Sequence, residues 1–266
     1  MSTFITSLIL ILIGFAMFYP AIFTTISKLF KDSAGARSFL QLNYILHLLF
    51  GTIAVFLMWI YRVNYPLQLS GIVYLVVIFV VVLYYWKSPI PQWNLFSTSV
   101  LFGLIVFYRS INEIVEITPL WPGIFTGILS AGTVSIVMLL MVSSLHRSIR
   151  KIALNDFINP LFKVLLLFIG IRIAWDLVVL FNISVETRNG ELMSALKFFL
   201  QVDSLKLVLL ILFGLLIPIL FYFLFKKRLS AFDSKYRFWI FCVLLISILF
   251  GEFLYKYFLL QYGIVL

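Results

Sequence analysis

The sequence predicts an all-α integral membrane protein of about eight transmembrane helices, packed as two four-helix bundles in a single polytopic domain over residues 1–266. Three observations carry this. The chain is 64% hydrophobic and 11% charged, with a mean hydropathy of +1.15, where soluble domains carry about 25% charged residues. Its apolar residues fall in runs of about 20, the length that crosses a bilayer core. Those runs lack the alternation of strands, and in lipid only helices or closed barrels satisfy the backbone.

The runs fall near 4–29, 39–61, 70–86, 95–111, 122–145, 158–182, 204–225 and 238–261. The first has no basic segment before it and no small-residue cleavage site after it, so it reads as a retained helix and not a signal peptide. The second ends on Trp59 and Tyr61, as an interfacial aromatic belt would. The third is the shortest and stops at Lys87, before the turn signal Ser88-Pro89-Ile90-Pro91. The fourth and fifth flank a connection at 109–121, and the fifth carries Gly127 and Gly132, which permit close helix packing. The sixth and eighth contain ionisable residues. The seventh contains the mid-span proline, Pro218.

The net charge of +10 reflects membrane topology and not a nucleic-acid partner, because the basic residues sit in short loops. Lys28, Lys31, Arg37, Lys87, Arg147, Arg150, Lys151 and the Lys226–Arg237 group occupy odd-numbered loops. Those loops are therefore expected in the cytoplasm, with both termini outside a bacterial or archaeal cytoplasmic membrane. The 109–121 and 183–203 connections then face outward and carry acids. Arg109, Glu116, Trp121, Glu186 and Arg188 are the residues expected to dock an outer partner. One cysteine, Cys242, excludes internal disulfides, a thiolate-held Fe–S cluster and a zinc finger within this chain.

Charges inside spans are costly and are either functional or paired. Arg172 and Asp176 on helix 6, and Glu252 and Lys256 on helix 8, are each spaced i, i+4 and so share a helix face. Lys206 opens helix 7. At about 1.5 Å per residue, Arg172 and Glu252 both lie about 21 Å from the cytoplasmic end of their helices, in the outer third of a core about 30 Å thick. The cluster reads either as packing pairs or as a polar pocket for a small proton-exchanging ligand such as a quinone head group, with Glu252 as proton acceptor. His47 and His146 lie on the cytoplasmic half and are the only available haem ligands. No phosphate-binding loop, dinucleotide fingerprint, zinc signature or nucleophile elbow occurs.

Short motifs add a resemblance. Phe107-Tyr108-Arg109-Ser110-Ile111 followed by Trp121-Pro122, and Gly251-Glu252 with Lys256 and then Tyr262-Gly263, resemble the fourth and last helices of dimethyl-sulfoxide-reductase membrane anchors. Lys206 falls where a basic residue commonly opens that family's seventh helix. The resemblance covers mainly the C-terminal two thirds, and polysulfide-reductase-type anchors share the helical architecture. It implies a haem-free anchor that oxidises menaquinol near the outer face. Electrons would pass to a four-cluster Fe–S subunit and a molybdopterin catalytic subunit on that face. The chain departs from the family where a His is usual after helix 2: it reads Ile60-Tyr61-Arg62-Val63-Asn64-Tyr65-Pro66, and no acid occurs between Asp32 and Glu113. Proton handling would then fall to Glu252 and Glu113, with Lys256, Lys206, Arg172 and Asp176 positioning the quinone oxygens or tuning Glu252. A b-type cytochrome subunit using His47 and His146, and an anchor without a working quinone site, are the alternatives.

Overall fold

Apolar runs that must satisfy their own backbone in lipid coil into long helices. The computed structural model describes residues 3–27, 36–61, 63–87, 93–115, 121–145, 154–186, 192–225 and 232–266. They form α1 (Thr3–Ser27), α2 (Ala36–Ile60), α3 (Tyr65–Tyr85), α4 (Trp93–Val115), α5 (Trp121–Leu145) and α6 (Leu154–Asn182). A hairpin of β1 (Ser184–Glu186) and β2 (Leu192–Ser194) follows, then a short α7 (Ala195–Val202). Next, α8 (Ser204–Leu210), a π-helical stretch (Ile211–Leu216) and α9 (Ile217–Phe225) run on as one rod. The last helix is α10 (Ser234–Tyr262). Among the described residues seven helices are long and apolar enough to cross a membrane. α4, at 23 residues, is longer than α3, at 21, but more polar, with Ser97, Thr98, Ser99, Arg109, Ser110, Asn112 and Glu113.

Two helices sit at the centre. The apolar windows of α1 and α5 are 72% and 78% buried, against 28–39% for the other five spans. α1 packs on α2, α4, α5 and α10, while α5 packs on α1, α6 and α10. Small residues make this possible. A side chain at Gly127 would meet the Phe107 ring of α4, and one at Gly132 the Phe168 ring of α6, so both rings pack into notches on α5. In lipid such close packing, and not water exclusion, drives helix association. The outer faces of α2 and α3 expose Ile45, Leu49, Phe56, Val76, Phe79 and Leu83. That continuous apolar surface exceeds what soluble monomers tolerate and suits acyl chains. Trp59, Tyr61, Tyr65 and Tyr84 are exposed near the helix ends, at belt height.

Two connections differ from the sequence reading. The 109–121 segment is not all loop, because α4 continues to Val115. Tertiary contacts hold its last turns: Ile111 is buried and Arg109 Nη1 donates to the Pro66 carbonyl at 3.4 Å, while within the helix Ser110 Oγ donates to the Val106 carbonyl at 2.7 Å. The 183–203 connection holds strands where none were expected. Beyond the apolar run, Ser184, Val185 and Glu186 pair antiparallel with Ser194, Met193 and Leu192. The α7 helix then starts at the N-cap Ser194. It buries Phe199 against Phe258 of α10, with ring centroids 4.5 Å apart. The hairpin and α7 mark what is called below the hairpin end of the molecule.

The π-helical stretch has a local cause. Pro218 lacks an N–H and its ring crowds the carbonyl four residues back, so the helix preceding it widens by a residue. Ser247 Oγ of α10 donates to the Phe213 carbonyl inside that stretch at 2.7 Å. The same stretch brings Gly214 against Gly251 of α10, one residue before Glu252.

Candidate functional site

The i, i+4 pairs on α6 and α10 meet, and a serine of α5 joins them. Ser130 Oγ donates a very short hydrogen bond to Glu252 Oε2. It accepts one from Lys256 Nζ at 3.1 Å and one from Arg172 Nη1 at 3.4 Å. A hydroxyl has one proton and two lone pairs, so Ser130 is fully used. Arg172 also donates to the Thr126 carbonyl at 3.0 Å and to the Leu266 main-chain oxygen at 2.6 Å. Its Nε lies 3.5 Å from Asp176 Oδ1. Its guanidinium stacks 3.6 Å over the Tyr255 ring, and the Tyr255 hydroxyl donates to Asp176 Oδ2 at 2.5 Å. Arg172, Asp176, Glu252 and Lys256 are all buried, at 4–5% exposure. Two cations and two carboxylates thus form a neutral unit in the apolar interior.

The end of the chain described here closes over this unit. Gly263 adopts the left-handed conformation, with φ +67°, that commonly ends a helix. The chain turns back, and Ile264, Val265 and Leu266 are buried. Trp175 Nε1 donates to the Val265 carbonyl at 3.0 Å, one residue before the oxygen that Arg172 binds.

Space around the cluster is divided. Arg172, Glu252 and Tyr255, with Leu129, Ile169 and Ile248, enclose a cavity of about 10 Å³, the size of one water molecule. A second space of about 240 Å³ lies between α6 and the α8–α9 rod, and Asp176 is in its wall.

The other expected site residues lie elsewhere. Lys206 does not join the cluster: its Nζ donates to Asp203 Oδ1 at 2.8 Å and to the Tyr257 hydroxyl at 2.6 Å. Tyr262 donates a very short hydrogen bond to Asp203 Oδ2, which completes a separate group at the hairpin end. Glu113 is half-buried on α4, with Oε2 unpartnered among the described residues. Arg109 is exposed, and the exposed Trp121 meets Trp175 edge-on at 5.3 Å. Glu186 lies in β1, whereas Glu116, Arg188 and His146 lie outside the described residues. His47 is fully buried, with Nε2 3.3 Å from Ser99 Oγ. Ser130 and Tyr255 were missed by the sequence reading. The i, i+3 offset of Tyr255 from Glu252 was the signal for one, and nothing marked Ser130 within the small-residue stretch of α5.

Asp203 joins α7 to α8, outside the spans. Burial opposes its ionisation, but hydrogen bonds from Lys206, Tyr262 and Tyr257 outweigh that and hold its carboxyl below the usual value. A carboxyl whose pKa is lower folded than unfolded stabilises fully above its unfolded value, about 3.9. That contribution is lost as pH falls through the folded value. Asp203→Asn is therefore expected to lower the melting temperature at neutral pH, with the gap to wild type closing below about pH 4. Thermal melts in detergent across that range check this, and a gap independent of pH would contradict it.

The chain matches no family model, no curated protein and no solved structure.

Proposed function

We propose that this chain is the membrane anchor of a molybdopterin and Fe–S respiratory oxidoreductase, exchanging electrons with the menaquinone pool near the outer membrane face. The observation that carries the quinone part is the gathering of Arg172, Asp176, Glu252 and Lys256, with Tyr255 and Ser130, inside a helical bundle. Ionisable side chains at such depth mark proton relays and substrate paths. Menaquinol oxidation releases two protons and two electrons; the electrons go to Fe–S clusters of a partner and the protons to carboxylates here. The partner subunits rest on the motifs around Phe107–Ile111 and Gly251–Lys256.

In this reading all eight long helices cross the membrane, α4 included, as two four-helix groups, α1–α4 and α5–α10. The basic loops face the cytoplasm, and the hairpin end and both termini face outward. The hairpin, with Glu186, and the segments holding Arg109, Glu116, Trp121 and Arg188 border the docked Fe–S subunit.

The test is quinol-dependent reduction of the assembled complex, expressed per folded complex. Glu252→Gln keeps an oxygen for the Ser130 hydroxyl but removes a proton acceptor. It is expected to lower turnover by about 100-fold or more. A second reading, a purely structural anchor, is favoured by the water-sized cavity at Glu252 and by the pairing of each charge. Unchanged turnover in Glu252→Gln would establish it.

A further inference from the structure

Glu252 and Lys256 stand one turn apart on α10, yet they do not touch. No carboxylate oxygen lies within 4 Å of Lys256 Nζ among the described residues. Ser130 of α5 stands between them, accepting from Nζ at 3.1 Å and donating to Glu252 Oε2. An ammonium has three N–H groups to place, and Ser130 Oγ is the one acceptor that Nζ reaches among the described residues. Both charged residues are buried, so bulk water does not take the remaining N–H groups. Arg172 differs on two counts. It binds two main-chain oxygens and faces Asp176, and a guanidinium keeps its proton in proteins.

We propose that the Ser130 hydroxyl carries a proton between Lys256 and Glu252, which makes the three residues one proton-sharing unit. An N–H proton of Lys256 passes to Ser130 Oγ as the hydroxyl proton of Ser130 passes to Glu252 Oε2. One N–H and one O–H bond break and two O–H bonds form, leaving an amine, a hydroxyl and a carboxylic acid. The hydroxyl has then reversed: it donates to the amine lone pair and accepts from the acid. In both states it donates once and accepts twice, which is its full capacity, so the 3.4 Å bond from Arg172 Nη1 persists throughout. The net charge of the unit is the same before and after, so the apolar interior never holds an unbalanced charge. The link to function rests on the quinone-exchanging reading above. Glu252 can take a quinol proton only while it is a carboxylate, and Ser130 and Lys256 are the positioning residues that return it to that form.

The test is magic-angle-spinning NMR of the full chain in phosphatidylcholine nanodiscs, with isotope-labelled lysine and glutamate. Signals of Lys256 Nζ and Glu252 Cδ are assigned by their loss in Lys256→Arg and Glu252→Gln. In wild type at fixed pH, warming is expected to move both together, Nζ between ammonium and amine and Cδ between carboxylate and acid, by equal fractions. Ser130→Ala should hold both at fixed values, and Ser130→Thr, which returns the hydroxyl, should restore the joint movement. Lys256→Arg keeps the cation and its donors but releases no proton, so Glu252 should stay a carboxylate at every temperature. A fixed ammonium and a fixed carboxylate in wild type, or joint movement that survives in Ser130→Ala, overturns the relay. Quinol-dependent turnover of the assembled complex is the second readout. Ser130→Ala and Lys256→Arg should each lower kcat about tenfold or more with KM unchanged, and Ser130→Thr should recover most of the loss. Joint movement in wild type with turnover untouched in both variants overturns the link to quinol oxidation and leaves the relay standing. Turnover untouched in Glu252→Gln overturns the quinone reading itself.

Discussion

Replacing Arg172 with methionine is expected to destabilise the protein by about 3–5 kcal/mol, the range for removing one partner of a buried ion pair. The guanidinium holds Asp176, Ser130, the Thr126 carbonyl and the Leu266 main-chain oxygen together. Without it the interior retains two carboxylates and one ammonium, an uncompensated charge in low dielectric. The informative comparison is the double variant Arg172→Met with Glu252→Gln. It restores neutrality, and the glutamine still accepts from Ser130. The double variant should therefore be more stable than Arg172→Met alone, recovering about half of the loss, a coupling of the size seen between contacting residues. Thermal and detergent-induced unfolding in nanodiscs read both. Additive losses would mean that hydrogen bonds to the main chain, and not charge balance, dominate at Arg172.

Gly251→Ala should cost about 1–3 kcal/mol or more, and Gly214→Ala distinctly less. A methyl at Gly251 would stand 2.5 Å from Gly214 Cα and 2.8 Å from its nitrogen. Those are backbone atoms, and relief requires moving the α8–α9 rod away from α10. At Gly214 the nearest atom is a Tyr255 ring carbon at 3.3 Å, which a small side-chain shift relieves. The displacement in Gly251→Ala would also break the Ser247 bond to the Phe213 carbonyl. Equal losses from the two variants would show that the crossing is looser than its geometry indicates.

The apolar runs located every long helix, because lipid forces a run of that length into one conformation. Helix ends were less legible: the polarity of Arg109–Glu113 reads as loop, while Ile111 packing holds those residues helical. The site was legible in one dimension. Rise per residue put Arg172 and Glu252 at one depth, and they do meet through Ser130. Depth carries no information about direction around the axis, so Lys206 was expected in the cluster although it turns to Asp203 and Tyr257. The space between α6 and the α8–α9 rod was illegible because it arises from a gap between two helices, and its walls of leucine and isoleucine look like any lipid-facing surface.

The i, i+4 pairing within α6 and within α10 also bears on how the chain reaches the membrane. Helices enter the bilayer before they find their neighbours, and a lone cation or acid at mid-helix opposes entry by about 2.5–3.5 kcal/mol. Each of these two segments carries its own counter-charge one turn away, Arg172 with Asp176 and Glu252 with Lys256. Each buried pair therefore enters the bilayer with its charge already balanced, without waiting for the other, and the link between the pairs through Ser130 can follow inside the lipid. Moving one charge of a pair to the other helix would preserve the composition of the finished cluster yet obstruct its biogenesis.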